Sequence, residues 1–187
     1  MSAASAPFGF RPAYHSTGID RDTKYAIAAA YGTAMYEGQP CILDTNGTVT
    51  VGTAAADLLG VFMGCEYIDA TGKPNVSTFW PAAQTVQSGS VPTAWVTDDP
   101  NTVFEVQADG SIAQTAIGAQ SDVSNVGSNL NGRSQATLSA SVAAGGAQAQ
   151  FRIIGFGQQL DNAPGDAFTI VQVKIARHQF VSNKVGI

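Results

Sequence analysis

This chain is short of charge, of reactive side chains and of long apolar runs, and each shortage removes a class of function. Charged residues make up 12% of its 187 positions, about half the usual share for a soluble protein, so part of the surface is expected to be covered. Its two cysteines and two histidines stand far apart, with no zinc-ligand spacing. No Gly-x-Ser-x-Gly elbow, His-Glu-x-x-His pair or phosphate-binding glycine loop occurs. No window approaches the run of roughly 20 apolar residues that a membrane helix needs, and the first residues lack the basic start and apolar stretch of a signal peptide. The expectation is a protein made in a cytoplasm, with no cofactor, no metal and no membrane partner.

The net charge of −5 is unevenly spread: residues 37–166 hold twelve acids against Lys73, Arg133 and Arg152, whereas residues 1–36 carry +1 and residues 167–187 carry +3. An acidic body has no basic groove to replace phosphate counterions, so nucleic acid is not expected as a partner. The mildly basic ends would suit an acidic docking surface. Cys41 and Cys65 each lie inside an apolar run, residues 40–43 and 61–67. They are expected as buried reduced thiols, with a disulfide as the other reading.

What is present begins with an unusual opening, Ala6-Pro7-Phe8-Gly9-Phe10-Arg11-Pro12-Ala13-Tyr14-His15. Pro7 and Pro12 remove backbone donors and bias the residues before them toward extended conformations, so residues 1–23 read as an extended N-terminal arm. Phe8, Phe10 and Tyr14 stand at even spacing, which in an extended chain places them on one side. Two readings stay open: the aromatics cover an edge of this chain's own core, or they anchor it on a neighbour, since aromatics bury large area at low rotamer cost.

Residues 24–187 read as one principal β-rich domain long enough to bury a full core, with a loop-rich insertion over residues 121–150. Strands are expected over residues 24–31, 33–36, 39–44, 48–51 and 59–68, with Asn46-Gly47 as a hairpin turn and Gly64 as a bulge. Further strands are expected over residues 76–80, 93–97, 103–107, 151–156 and 167–176, joined by Asp98-Asp99-Pro100-Asn101 and by the turn-rich stretch 161–166. Ser111 to Asp122 reads as a helix of two or three turns, weakened by Gly118. About ten short strands with at most one short helix make a mainly β fold, a barrel or a sandwich.

Candidates for chemistry are few. His15 and His178 read as surface or interface histidines. Asp98, Asp99, Asn101, Glu105 and Asp109 form the densest acidic cluster, but lack EF-hand spacing, and turn chemistry accounts for Asp98 and Asp99. Trp80, Phe79 and Trp95 could stack on a sugar, although the alternation around Trp95 favours core packing.

Several phrases taken together carry a family resemblance: the opening Ala6-Pro-Phe-Gly-Phe-Arg-Pro12, Leu59-Gly-Val-Phe-Met-Gly-Cys-Glu-Tyr67 leading to Thr71-Gly-Lys-Pro74 and Phe79-Trp-Pro81, the Asp98-Asp-Pro-Asn101 turn, and Phe104-Glu-Val-Gln-Ala-Asp-Gly110. Over residues 6 to 180 the chain resembles the head decoration, or capsid cement, proteins of tailed bacteriophages. That resemblance implies a non-enzymatic virion protein on the outer capsid surface, often a homotrimer, bridging neighbouring major capsid protein subunits. The contacts expected on it are Phe8, Phe10, Arg11, Pro12, Tyr14 and His15 in the arm, with Arg177, His178 and Phe180 near the C-terminus. The rival readings are a tail or connector component, and a host-surface or carbohydrate-binding module using Trp80 and Trp95.

Overall fold

The computed structural model describes residues 2, 4–127 and 131–181. Among these residues are fifteen strands and one 3-10 turn, and no α-helix. In chain order the strands are β1 (Arg11–Tyr14), β2 (Thr23–Ala26), β3 (Met35–Tyr36), β4 (Gln39–Leu43), β5 (Val49–Val51), β6 (Gly60–Ile68), β7 (Pro74–Ser77) and β8 (Phe79–Trp80). They continue as β9 (Thr93–Thr97), β10 (Val103–Gln107), β11 (Gln120–Ser121), β12 (Val123–Asn125), β13 (Thr137–Leu138), β14 (Phe151–Phe156) and β15 (Ile170–Ile175). Two antiparallel sheets dominate, a five-stranded one in the order β1-β10-β15-β14-β11 and a six-stranded one in the order β2-β9-β6-β4-β5 with β7 also on β6. The ribbons β3-β8 and β12-β13 flank them. The fold is mainly β, as the pattern of short strands and turns implies, and its sheets are open and sandwich-like.

The long strand β6 explains how one sheet serves two cores. Neighbouring strand residues face opposite ways, and Val61 joins Phe10, Phe104, Phe151, Ile153 and Val173 in a core beneath the five-stranded sheet. Phe62 and Cys65 instead join Ile27, Met35, Cys41, Leu59, Trp80 and Val96 on the other face. Phe62 and Cys65 are three apart, an odd spacing that would ordinarily put them on opposite faces. A register shift between Phe62 and Gly64 absorbs the extra residue, the bulge expected at Gly64. Gly60 permits a close crossing, since a Cβ there would stand 2.4 Å from the Thr97 carbonyl oxygen.

Two hairpin turns share one chemistry. Asp44 Oδ1 accepts the N–H groups of Asn46 and Thr48, both at 2.9 Å, before Gly47 takes a φ of +75°. Asp69 Oδ1 accepts those of Thr71 at 2.9 Å and Lys73 at 3.1 Å, before Gly72 takes a φ of +85°. These bonds hold the Asp44 carboxyl below its ordinary range, Thr48 N–H contributing most, and hold Asp69 at about 2, with the Thr71 hydroxyl first among the causes.

Some expectations need correction. The stretch Ser111 to Asp122 is not a helix: only Gln114–Ala116 forms a 3-10 turn. Its start lacks a side-chain cap, and Gly118 and Ala119 are drawn into pairing with Ile153, through Gly118 N–H to the Ile153 carbonyl at 2.8 Å and Ile153 N–H to the Ala119 carbonyl at 3.0 Å. The strand expected over residues 24–31 ends at Ala26, because Tyr31 N–H turns back to the Ala28 carbonyl. Residues 76–80 divide between β7, on β6, and β8, on β3. The Asp98–Asn101 turn joins β9 and β10 across the sandwich, one strand in each sheet.

Candidate interaction surface

Residues 2 and 4–15 lie along their own domain. The Ser2 carbonyl accepts the Phe168 N–H at 2.7 Å, and the Ser2 hydroxyl meets the Asp166 carboxylate, which holds that carboxyl below its ordinary range. Gln107 clasps the next residues, its Oε1 accepting Ala6 N–H at 2.8 Å and its Nε2 donating to the Ala4 carbonyl at 3.0 Å. Gly9 then takes a φ of +76° where a Cβ would come 2.8 Å from the Gly38 carbonyl oxygen, so only glycine turns the chain inward here. Phe10 enters the core, fully buried, and stacks on Phe151 with ring centroids 4.3 Å apart. Beyond it β1 pairs with β10 on one side only, with an irregularity between Pro12 and Tyr14.

The candidate contact residues therefore separate by environment. Arg11, Tyr14 and Phe180 are exposed, Tyr14 at 51% and Phe180 at 60%. Phe8 and Pro12 are half-buried, and the Arg11 guanidinium lies 5.1 Å above the Phe8 ring while bonding Glu105 at 2.5 Å. Arg177 is half-buried and pairs with Asp57 at 2.7 Å. Phe10 and His178 are inside the protein, and the His15 side chain is only 7% exposed. Phe10 is thus occupied by its own core and not offered to a neighbour, which favours the edge-covering reading for that one aromatic.

The structure brings a residue just after β1 and one just after β15 to the same turn. His15 Nε2 lies 3.1 Å from Asp99 Oδ2, off the line of a hydrogen bond, and His178 Nε2 bonds the Asp98 carbonyl oxygen at 2.8 Å. The Asp98 carboxylate in turn accepts the Thr23 hydroxyl at 2.9 Å and the Tyr25 hydroxyl at 2.6 Å. Burial first, and the Asp98 bond second, push the Tyr25 phenol well above its ordinary range. Asp22 and Asp20 accept the Thr97 and Thr102 hydroxyls on either side of the same crossover. Nothing in the sequence signals this meeting of residues some eighty positions apart.

The acidic cluster is spent on structure. Asp98 is bound as above, Asp99 accepts Asn101 N–H at 2.7 Å, Glu105 holds Arg11, and Asp109 accepts Ala140 N–H at 2.7 Å. Trp80 is fully buried, with its indole N–H directed to the Tyr31 carbonyl at 3.3 Å. Trp95 is half-buried beneath Lys24, whose ammonium stands 5.9 Å from the ring centroid and bonds Glu66 at 2.7 Å. Both cysteines are free and buried, as the apolar runs around them imply. Exposed apolar side chains that the pattern did not single out include Ile19, Val76, Val91 and Leu160. Against known proteins, no family model, no curated protein and no solved structure matches this chain.

Proposed function

We propose that this chain belongs to the class of assembly subunits, β-rich domains that act by presenting a preformed surface to another protein. The observation that carries this reading is β1. It is an edge strand with one open side, and around it stand Arg11, Pro12 and the exposed Tyr14, held by a core anchored at Phe10. An open edge flanked by aromatic and guanidinium groups is suited to strand addition or to an aromatic-anchored contact. Within that class, the proposed role is decoration of a tailed-bacteriophage head: the chain cements the outer capsid surface by bridging neighbouring major capsid protein subunits, as a homotrimer. The family resemblance of residues 6 to 180 supports this assignment, and so does the low charge.

The test is an icosahedral cryo-EM reconstruction of the parent virion, beside one of particles lacking this chain. Density on the outer shell that disappears with the chain, with β1 against a capsid subunit, is the expected result. A bare shell, or density confined to the tail, overturns the assignment.

A further inference from the structure

We propose that Asn46 is a site of spontaneous deamidation guarded by Asp44: the folded turn holds both reacting groups on Asp44, so the side chain converts only when the turn opens. The chemistry is intramolecular. The Gly47 nitrogen, after losing its proton to solvent, attacks Cγ of Asn46 and expels the side-chain nitrogen, which leaves as ammonia with a proton taken from water. Water then opens the five-membered imide at either of its carbonyls. One opening leaves aspartate at position 46; the other leaves isoaspartate, whose main chain runs through the former side chain and is longer by one methylene. The net change is carboxamide plus water to carboxylate plus ammonium, with water the one co-reactant. The attack needs a following residue that does not crowd the ring, and glycine meets that need. A Cβ on Gly47 would have nothing within 4 Å of it, and Asn46 is exposed, so water reaches both carbonyls of the imide.

The closed turn opposes the first steps. Gly47 N–H donates to the Asp44 carbonyl at 3.1 Å and must leave that bond before solvent can take its proton. The Asn46 carboxamide points back, its Nδ2 directed to Asp44 Oδ2 at 3.4 Å, while Asn46 N–H is held on Asp44 Oδ1 at 2.9 Å. Thr48 fastens the same carboxylate from the far side of the turn, through its N–H at 2.9 Å and its hydroxyl at 3.1 Å. A hydrogen bond to a charged acceptor shifts an opening equilibrium by about tenfold or more. Conversion in the folded protein is therefore expected to be at least about tenfold slower than in the unfolded chain.

The product does not rebuild the turn. Aspartate at position 46 sets a second carboxylate where the carboxamide donated to Asp44, and the extra methylene of isoaspartate moves Gly47 and Thr48 off their acceptors. The strand that follows, β5, is an edge strand paired only with β4, and its Val49 is fully buried. Deamidation thus acts as a one-way loosening of that edge. The Asp69 turn supplies the contrast. Thr71 and Gly72 stand where Asn46 and Gly47 stand, with the N–H groups of Thr71 and Lys73 on Asp69 Oδ1 and Gly72 N–H on the Asp69 carbonyl at 2.9 Å. Threonine therefore suits the position and has no carboxamide to lose.

The experiment is incubation of the full chain in mildly alkaline buffer, folded and in denaturant, followed by peptide mapping. Mass spectrometry reads the gain of about one dalton, and electron-transfer fragmentation separates aspartate from isoaspartate. Amide exchange at Gly47 in the same buffer reads opening. The expected result is conversion at Asn46 in the folded protein, slower than in denaturant by a factor that matches the protection of Gly47 N–H. Asp44→Ala, referred to its own unfolded rate, loses most of that factor, and Asn46→Thr gains no mass at this turn. No conversion at Asn46 in the folded protein, conversion confined to Asn131, a folded rate equal to the unfolded one, or a factor unrelated to Gly47 protection overturns the proposal. The rates and the exchange need only the unaltered protein, so a variant that failed to fold would leave the test intact.

Discussion

Truncating Phe10 separates its role in the core from any role at the surface. The ring is fully buried, stacked on Phe151 at 4.3 Å, and packed in the same core as Phe104, Ile153 and Val173. Burying a phenylalanine side chain is worth about 1.5–3 kcal/mol, and a stacked aromatic pair adds about 0.5–1.5. Paired strands on both sides of this core limit its collapse, so part of the vacated volume stays empty. Phe10→Ala is therefore expected to cost about 3–5 kcal/mol, the usual range for such truncations. At about 2–4 °C per kcal/mol for a chain of this size, the melting temperature falls by about 6–20 °C. Tyr14→Ala, at an exposed edge position, should stay within about 0.5 kcal/mol. Urea unfolding followed by tryptophan fluorescence measures both. A cost below about 1 kcal/mol for Phe10→Ala, or equal costs for the two variants, would refute the argument that the opening segment is part of the core. It follows that removing residues 1–15 tests folding and binding together, and that binding is better tested by Tyr14→Ala and Phe180→Ala.

Gln150, fully buried, ties four segments together: its side chain donates to the Thr53 and Ala56 carbonyls and accepts Val123 N–H, while its carbonyl accepts Ala176 N–H. Gln150→Leu keeps the backbone bond to Ala176 but strands the Thr53 and Ala56 carbonyls and the Val123 N–H, and is expected to cost about 2–4 kcal/mol by denaturant titration, whereas a cost under about 1 would mean that they find other partners. Burial pushes the Cys65 thiol up to about 12 and the Cys41 thiol higher still, so neither should react with a thiol-specific disulfide reagent at pH 8 until denaturant is added. Rapid native labelling of either would contradict their burial. The Asp69 carboxyl is depressed to about 2, so the stability it lends is present above its unfolded value of about 3.9 and is lost as pH falls toward 2. Asp69→Asn should therefore lower stability near neutrality and let the two pH–stability curves converge as pH falls toward 2, which flattens the acid limb, and an unchanged acid limb would assign that limb to other groups.

The strands were legible where their signal is local. Asn46-Gly47 and the Asp69–Gly72 stretch are turns because their side chains and positive φ values settle the matter within five residues. Gly64 was readable as a bulge because a glycine that interrupts a long apolar strand commonly marks one, whereas the two cores that the shift serves were not. The segment after Gly110 was misread because its helical spacing was weak and its fate depends on Ile153, some forty residues away. The candidate surface divides in the same way. Exposure of Tyr14 and burial of Phe10 are opposite outcomes for residues of one pattern, and what lies between them is the register shift in β1 from Pro12 to Tyr14, which breaks the even spacing. The meeting of His15 and His178 at one turn is a property of sheet order, which no local pattern carries.

The order of strands also sets a timetable for synthesis. Every strand of the six-stranded sheet has been made once Thr97 is added, so its core can form while the rest of the chain is still being translated. The five-stranded sheet cannot follow until β15 arrives to lie between β10 and β14. Until then Phe10, made some 140 residues before Phe151, has no Phe151 ring to stack on and waits without its core. The nascent chain thus carries an exposed aromatic ahead of the six-stranded sheet and a β10 open on its β15 side, an interval in which chaperone binding or premature association between neighbouring copies competes with folding. The edge strand proposed to meet a partner is, on this schedule, among the last parts of the molecule to be secured.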